Sequence, residues 1–316
     1  MSNSGNFLIL TAGYGAGHNQ AGHAVAEALR ELDPRLHVIC QDYLEWIPRS
    51  VASATVDLYR WLCRSWPRGY GWVYDTTGRL QAYRWWRRVA YQLGQPRLRR
   101  WLARHMPSAI VCTHPLPMGA ISLIRQAGGL TPAVVAVVTD YVLHPEWAQP
   151  HLDHYCVPTP EVAQALVAQG IPADRIEVTG IPVRPGFARP VKARAADPLP
   201  GLQVLFMTSA LGTLSGVVEV CRQLWSLPLP ARWVVIAGQD RALYANLTDL
   251  AHRLHKPSVQ VLGWVDSVWE WMLSADLLIT KAGGLTVAEA LACGKPLLLL
   301  PPLPGQEAGN ASWLER

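Results

Sequence analysis

Short apolar runs alternate with stretches of helical spacing along the whole chain. Phe7–Ala12 reads as a strand, followed by a glycine-rich turn and a helix from about Asn19 to Glu31. Around that helix Ala21, Ala24, Val25, Ala28, Leu29 and Leu32 recur at three- and four-residue intervals. Leu36–Asp42, Ala109–Thr113, Ala133–Thr139 and His154–Val157 read as further strands. Pro190, Pro198 and Pro200, set among small and charged residues, then break the pattern and predict a linker over 188–201. A second alternating block follows, with strands expected at Gln203–Thr208, Arg232–Ala237, Val259–Leu262, Leu277–Thr280 and Pro296–Leu300. Alternation of this kind implies α/β architecture, with parallel sheets covered by helices. The expected organisation is two doubly wound domains, 1–187 and 202–316, facing each other across a ligand cleft. Residues 307–316 read as a helix that has barely started, so the second domain is expected to be incomplete at its C-terminal end.

Composition narrows the class. Half the residues are hydrophobic and 16% are charged, which supplies packed cores and excludes a disordered chain. No apolar run approaches the roughly 20 residues that span a bilayer. The first residues show neither a basic n-region nor an apolar h-region, so a cytoplasmic location is expected. The six scattered cysteines fit buried thiols better than a zinc site.

The net charge of +5 favours anionic partners, and its distribution says more. Between residues 59 and 105, arginines that include Arg87, Arg88 and Arg100 stand against one acid, Asp75. Trp61, Trp66, Trp72, Trp85, Trp86 and Trp101 and several tyrosines are interleaved with them. Arginine attracts lipid phosphates, about 1 kcal/mol for each residue near an anionic surface, and tryptophan suits headgroup depth. The stretch is expected to lie on an anionic membrane, peripherally, without crossing it. Two alternatives stay open: a solvated basic helix with its aromatics turned to the core, and a single-stranded nucleic-acid surface.

Four loops carry candidate chemistry. Gly13 to His18 (GYGAGH) follows the first strand. Gly15 and Gly17 allow close approach of a ligand, and His18, in the first helical turn, can take a proton from a hydroxyl at neutral pH. Lys281 to Leu291 reads strand, double-glycine turn, helix. The amides of Gly283 and Gly284 can meet a diphosphate, and Glu289 can accept ribose hydroxyls. Ser209, Gly212 and Thr213 form a looser phosphate candidate, and Gln306 and Glu307 suit the hydroxyls of a sugar. The bland readings are ordinary turns, caps and one exposed acid.

Taken together, these segments resemble the monogalactosyldiacylglycerol synthases and processive diacylglycerol glucosyltransferases. These belong to a larger group, like glycosyltransferase family 28, that includes the lipid-II-forming N-acetylglucosaminyltransferase. The resemblance rests on LTAGYGAGHNQAGHAVAEAL, on THP at Thr113–Pro115, on VTDYVLHPEWAQPHLDHYCVPTPEV, on GIPVRPGF, and above all on GWVDSVWEWMLSADLLITKAGGLTVAEALACGKPLLLLPPLPGQEAGN. MTSALGTLSG departs from the richer glycine loop common in the family.

The resemblance implies a GT-B fold of two Rossmann-like domains and an inverting hexosyl transfer without an essential metal or cofactor. The donor would be UDP-galactose or UDP-glucose and the acceptor diacylglycerol. Gly263, Trp264 and Val265 would approach the uracil, Gly283 and Gly284 the diphosphate with Leu285 and Thr286 beside them, Glu289 the ribose, and Gln306 and Glu307 the sugar. His18 would be the base, with Asp140 orienting it or acting in its place. Gly15, Gly17 and His114 would border the acceptor. The rival readings are transfer to an isoprenoid-linked sugar, a nucleotide-sugar epimerase, and an inactive membrane-binding fragment.

Overall fold

The computed structural model describes residues 5–77, 88–129, 131–188, 201–208 and 216–316. They build two parallel sheets. The first holds β1 (Asn6–Thr11), β2 (His37–Asp42), β3 (Ala109–Cys112), β4 (Ala133–Val137), β5 (His154–Val157) and β6 (Ile176–Val178), in the order β2-β1-β3-β4-β5-β6. The second holds β7 (Leu202–Met207), β8 (Ala231–Ile236), β9 (Val259–Leu262), β10 (Leu277–Thr280) and β11 (Leu297–Leu299), in the order β11-β10-β7-β8-β9. Every strand pair is parallel, so each return to the sheet needs a crossover that covers a face. Central strands are therefore buried on both sides and read as unbroken apolar runs: Leu8, Ile9 and Leu10 in β1 and Leu205 and Phe206 in β7 are fully buried.

Each expected strand is present. The reading missed β6, a three-residue edge strand whose Glu177 and Val178 are exposed. An edge strand this short has no apolar run to announce it. The first helix, α1 (Ala16–Leu32), starts three residues before the expected Asn19. Gly15 in extended conformation is its N-cap, so Gly17 and His18 lie inside the first turn.

The order of strands fixes where a ligand can bind. In the first sheet the order reverses between β1 and β3, and in the second between β7 and β10. The crevice beyond the strand C-termini at such a reversal is open, because the flanking crossovers leave to opposite sides. The GYGAGH turn follows β1, Thr113–His114 follow β3, Thr208 follows β7, and Lys281–Gly284 follow β10. These four segments thus stand at the two reversals, whereas Gly263–Val265 and Gln306–Glu307 follow the edge strands β9 and β11.

Between β2 and β3 the chain forms α2 (Arg49–Ser65), α3 (Pro67–Thr77) and α4 (Gln95–His105), and the later crossovers hold α5 (Pro115–Gln126), α6 (Pro160–Ala168), α7 (Val217–Ser226), α8 (Arg241–Arg253) and α9 (Val268–Ser274). The region between β2 and β3 divides the basic aromatic stretch three ways. Tyr91, Leu98 and Leu102 are buried in the first core, and Trp101 stacks on His105 at its edge, 4.2 Å between ring centroids. Tyr59, Tyr70 and Tyr74 turn toward the space between the sheets. Trp61, Trp66 and Trp72 are 53%, 54% and 64% exposed, as are the side chains of Arg60, Arg64 and Arg68 in large part. Trp85, Trp86 and Arg87 lie outside the described residues, while Arg88 and Arg100 are exposed. Among the described residues no helix is long and apolar enough to cross a membrane.

The two halves meet through packed helices. An apolar cluster joins Ala21 of α1, Tyr141 and Ile181 to Leu285, Val287 and Ala288 of α10 (Gly284–Ala292). The last helix, α11 (Gln306–Leu314), completes the contact: Trp313 stacks on Tyr141 with centroids 4.1 Å apart. Arg184 adds a polar tie, pairing with Glu27 of α1 at 2.6 Å and donating to Asp266 O at 3.1 Å.

Candidate active site

A cleft of about 660 Å³ lies between the two sheets. Its walls carry Gly15, Gly17, His18, His114 and Asp140 from the first half and Trp264, Val265, Gly283, Gly284, Leu285, Thr286, Glu289, Gln306 and Glu307 from the second. Gly263 precedes the wall without lining it, and Ser209, Gly212 and Thr213 lie outside the described residues. Segments nearly three hundred residues apart thus converge, because both strand reversals open onto the same space.

His18 is oriented by backbone. Its Nδ1 lies 2.9 Å from Thr113 O, and a carbonyl can only accept, so Nδ1 carries the proton. Thr139 Oγ1 stands 2.8 Å from the same nitrogen, and Thr113 Oγ1 donates to His18 O at 2.9 Å. In the neutral ring Nε2 then holds the lone pair. Burial pushes the His18 pKa below its ordinary value, against the upward pull of the Asp140 carboxylate. The ring is therefore ready to accept a proton near neutral pH.

Asp140 does not hold the His18 ring in place; the two threonines do. Its carboxylate is buried and lies 3.5 Å from Asn310 Nδ2. Burial raises the Asp140 pKa, opposed by His18 and by the Asn310 hydrogen bond. Its influence on His18 is through charge.

The opposite wall is built on α10. Gly283 caps the helix and Gly284 opens it. A Cβ at Gly284 would overlap the Thr139 carbonyl oxygen and approach Asp140 Oδ1 to 3.1 Å, so only glycine brings this helix start against the loop after β4. The start of α1 faces it, with the Cβ position of Gly17 3.6 Å from Leu285 Cβ. Two helix N-termini with their partial positive charge thus border one cleft. Glu289, one and a half turns into α10, is buried, and burial pushes its pKa up to about 8 despite Arg184.

Glu307 lines the cleft and has protein partners of its own. Its carboxylate pairs with Lys281 and accepts the Leu303 N–H at 3.2 Å, so it fixes the turn between β11 and α11. Gln306, beside it, also lines the cleft.

The sequence reading gave no role to Asn310, Lys281, Thr113 or Thr139, although all four lie in the quoted segments. The tyrosines of the basic stretch are expected at headgroup depth with its tryptophans. Instead Tyr59, Tyr70 and Tyr74 line the cleft in a row, with centroids 5.8 and 6.3 Å apart, that ends on His144. Two His-Pro pairs were a readable signal. His114 and His144 each accept a backbone N–H through Nδ1, ahead of a proline at the first helical position.

Comparison with known proteins agrees with this geometry. Residues 18–183 match the family described as monogalactosyldiacylglycerol (MGDG) synthase, and residues 203–307 match glycosyl transferases group 1. The processive diacylglycerol β-glucosyltransferase of Bacillus pumilus is 32% identical over 320 residues, all of this chain and 82% of that protein. The MurG crystal structure from Acinetobacter baumannii superposes with a TM-score of 0.55 at 17% identity, over 98% of this chain and 82% of that one. Anabaena HepE in complex with UDP-glucose gives 0.54 at 12% identity, over 97% and 88%. The fold is GT-B, and with its sequence matched in both halves the chain belongs to the glycolipid-forming glycosyltransferases of the MGDG synthase family.

Proposed function

We propose that this glycosyltransferase moves glucose or galactose from a UDP-sugar to the free hydroxyl of diacylglycerol at a membrane surface, with inversion at the anomeric carbon. The observation that carries the reading is the His18 Nδ1–H bond to Thr113 O, which sets the Nε2 lone pair in the cleft opposite the start of α10.

In this reaction His18 Nε2 takes the hydroxyl proton as the oxygen attacks the anomeric carbon. The UDP leaving group departs on the opposite face. Its growing charge is met by the main-chain amides at Gly283–Gly284 and the α10 dipole, with Lys281 beside them, and not by a metal ion. Glu289 accepts the ribose hydroxyls, Trp264 and Val265 flank the base, and Gln306 reads the hexose. Apposition of the two halves orients the reactants and keeps water from the donor.

The exposed tryptophans and arginines of α2 and α3 support the membrane placement. A nucleotide-sugar epimerase would share the cleft but has no use for that surface. A donor-by-acceptor assay tests the function: purified protein, UDP-glucose or UDP-galactose, and vesicles containing diacylglycerol, with the lipid product identified. A new hexosyl lipid and stoichiometric UDP are expected. UDP release without glycolipid, or transfer only to an isoprenoid-linked sugar, overturns the proposal.

A further inference from the structure

The two histidines at the reversal of the first sheet hold opposite tautomers. His18 Nδ1 donates to Thr113 O at 2.9 Å, so its Nε2 accepts. His114 Nδ1 receives the Leu116 N–H at 3.0 Å, so in the neutral ring its proton sits on Nε2. The rings stand edge to face with centroids 4.5 Å apart, and both line the cleft. Among the described residues no protein acceptor is found for His114 Nε2–H. One acceptor and one donor thus stand side by side on the first-domain wall. Burial and the adjacent His18 also hold the His114 pKa well below its ordinary value. This ring therefore stays neutral and serves as a donor; it does not compete as a base.

A lone alcohol needs only the lone pair of His18. The second group fits an acceptor molecule that carries a hydrogen-bond-accepting oxygen within a few ångströms of its reacting hydroxyl. Diacylglycerol has that arrangement, since the carbon next to its free hydroxymethyl carries an ester. We propose that His114 Nε2–H donates to an ester carbonyl of the acceptor glyceride while His18 Nε2 accepts its hydroxyl, making His114 a specificity-determining residue for ester-linked lipids. This rests on the diacylglycerol reading above.

The test compares diacylglycerol with its diether analogue, which keeps the hydroxyl and the chains and lacks the carbonyls. With UDP-glucose and either lipid in vesicles, the unaltered protein is expected to favour the ester in kcat/KM by about tenfold, the value of one hydrogen bond. His114→Asn keeps an acceptor for the Leu116 N–H but is too short to reach the carbonyl, so the ratio should fall near one. His114→Gln, with a longer amide donor, should recover part of it. An unchanged ratio in His114→Asn, even with both rates reduced, means the ring is merely structural and overturns the proposal. Equal use of the two lipids by the unaltered protein overturns it as well. Should His114→Asn fail to fold, the unaltered protein and His114→Gln still decide. Absence of transfer to both lipids defeats the diacylglycerol reading itself and this inference with it, a result distinct from transfer without ester preference.

Discussion

Asn310 accepts the Tyr141 N–H through Oδ1 at 2.9 Å, and its Nδ2 donates to Ala282 O at 3.0 Å. One fully buried amide thereby ties the loop after β4, which carries Asp140, to the glycine turn after β10. Replacing Asn310 with Ala strands a buried N–H and a buried carbonyl, each worth about 1–3 kcal/mol when unsatisfied. Denaturant unfolding should show a loss of that order, and kcat should fall more than UDP affinity, because the turn and the base lose their common support. A variant with unaltered midpoint and kcat would rule out this coupling. Asn310→Asp should be worse, since it sets a second carboxylate beside Asp140.

His18 gives a pH signature. Its pKa lies below the ordinary value of about 6.5, so the free base persists through neutral pH and kcat/KM should fall only on the acid side. Asp140 pulls that pKa up, so Asp140→Asn should move the acid limb to still lower pH. His18→Gln should lose about 100-fold or more in kcat while UDP binding stays within about threefold. Turnover that survives this change would take His18 out of the mechanism.

The same burial appears in stability. His18 and His114 titrate below the unfolded value, so under about pH 6.5 the unfolded chain binds protons that the folded chain does not. The unfolding midpoint should therefore drop as the pH falls through that range, less so in His114→Asn. Glu289 titrates in the opposite sense over this range, so the slope is read in the Glu289→Gln background, where a midpoint flat from pH 7.5 to 5.5 would contradict the placement of both rings.

Glu289 moves in the other direction. With its pKa near 8, it is largely protonated at pH 7 in the free protein. Ribose hydroxyls donate to the carboxylate form, so UDP binding should release a proton at pH 7 and strengthen as the pH rises toward 8. Calorimetry in two buffers of different ionisation enthalpy detects that proton. Glu289→Gln should abolish the release and weaken UDP about tenfold. Between pH 4.5 and 8 the folded state holds a proton that the unfolded state has lost, so rising pH destabilises the fold there, and the variant should flatten that slope. Identical heats in the two buffers would remove Glu289 from ribose recognition.

The exposed aromatics of α2 and α3 make a surface prediction. Changing Trp61, Trp66 and Trp72 together to Ala should weaken partition onto anionic vesicles several-fold while leaving the unfolding midpoint near its original value, because these side chains cover no core. Salt should weaken the binding of the unaltered protein, since Arg60, Arg64 and Arg68 are exposed beside them. Partition that ignores both changes would return the stretch to a solvated surface.

The alternation of apolar runs and helical spacing was enough to find every strand but β6, because a strand buried on both faces must be apolar throughout, whereas Glu177 and Val178 at an edge need not be. The glycines, His18 and Glu289 were readable for a similar reason: tight turns and proton chemistry admit few residue types. What stayed hidden was partnership across the chain. No local pattern says that the Thr113 carbonyl chooses the His18 tautomer, that Lys281 takes the carboxylate of Glu307, or that Tyr59, Tyr70 and Tyr74 face the cleft while Trp61, Trp66 and Trp72 face out. These follow only once the two strand reversals bring distant segments to one cleft, since hydrogen bonds and charge act over a few ångströms of space whatever the separation along the chain.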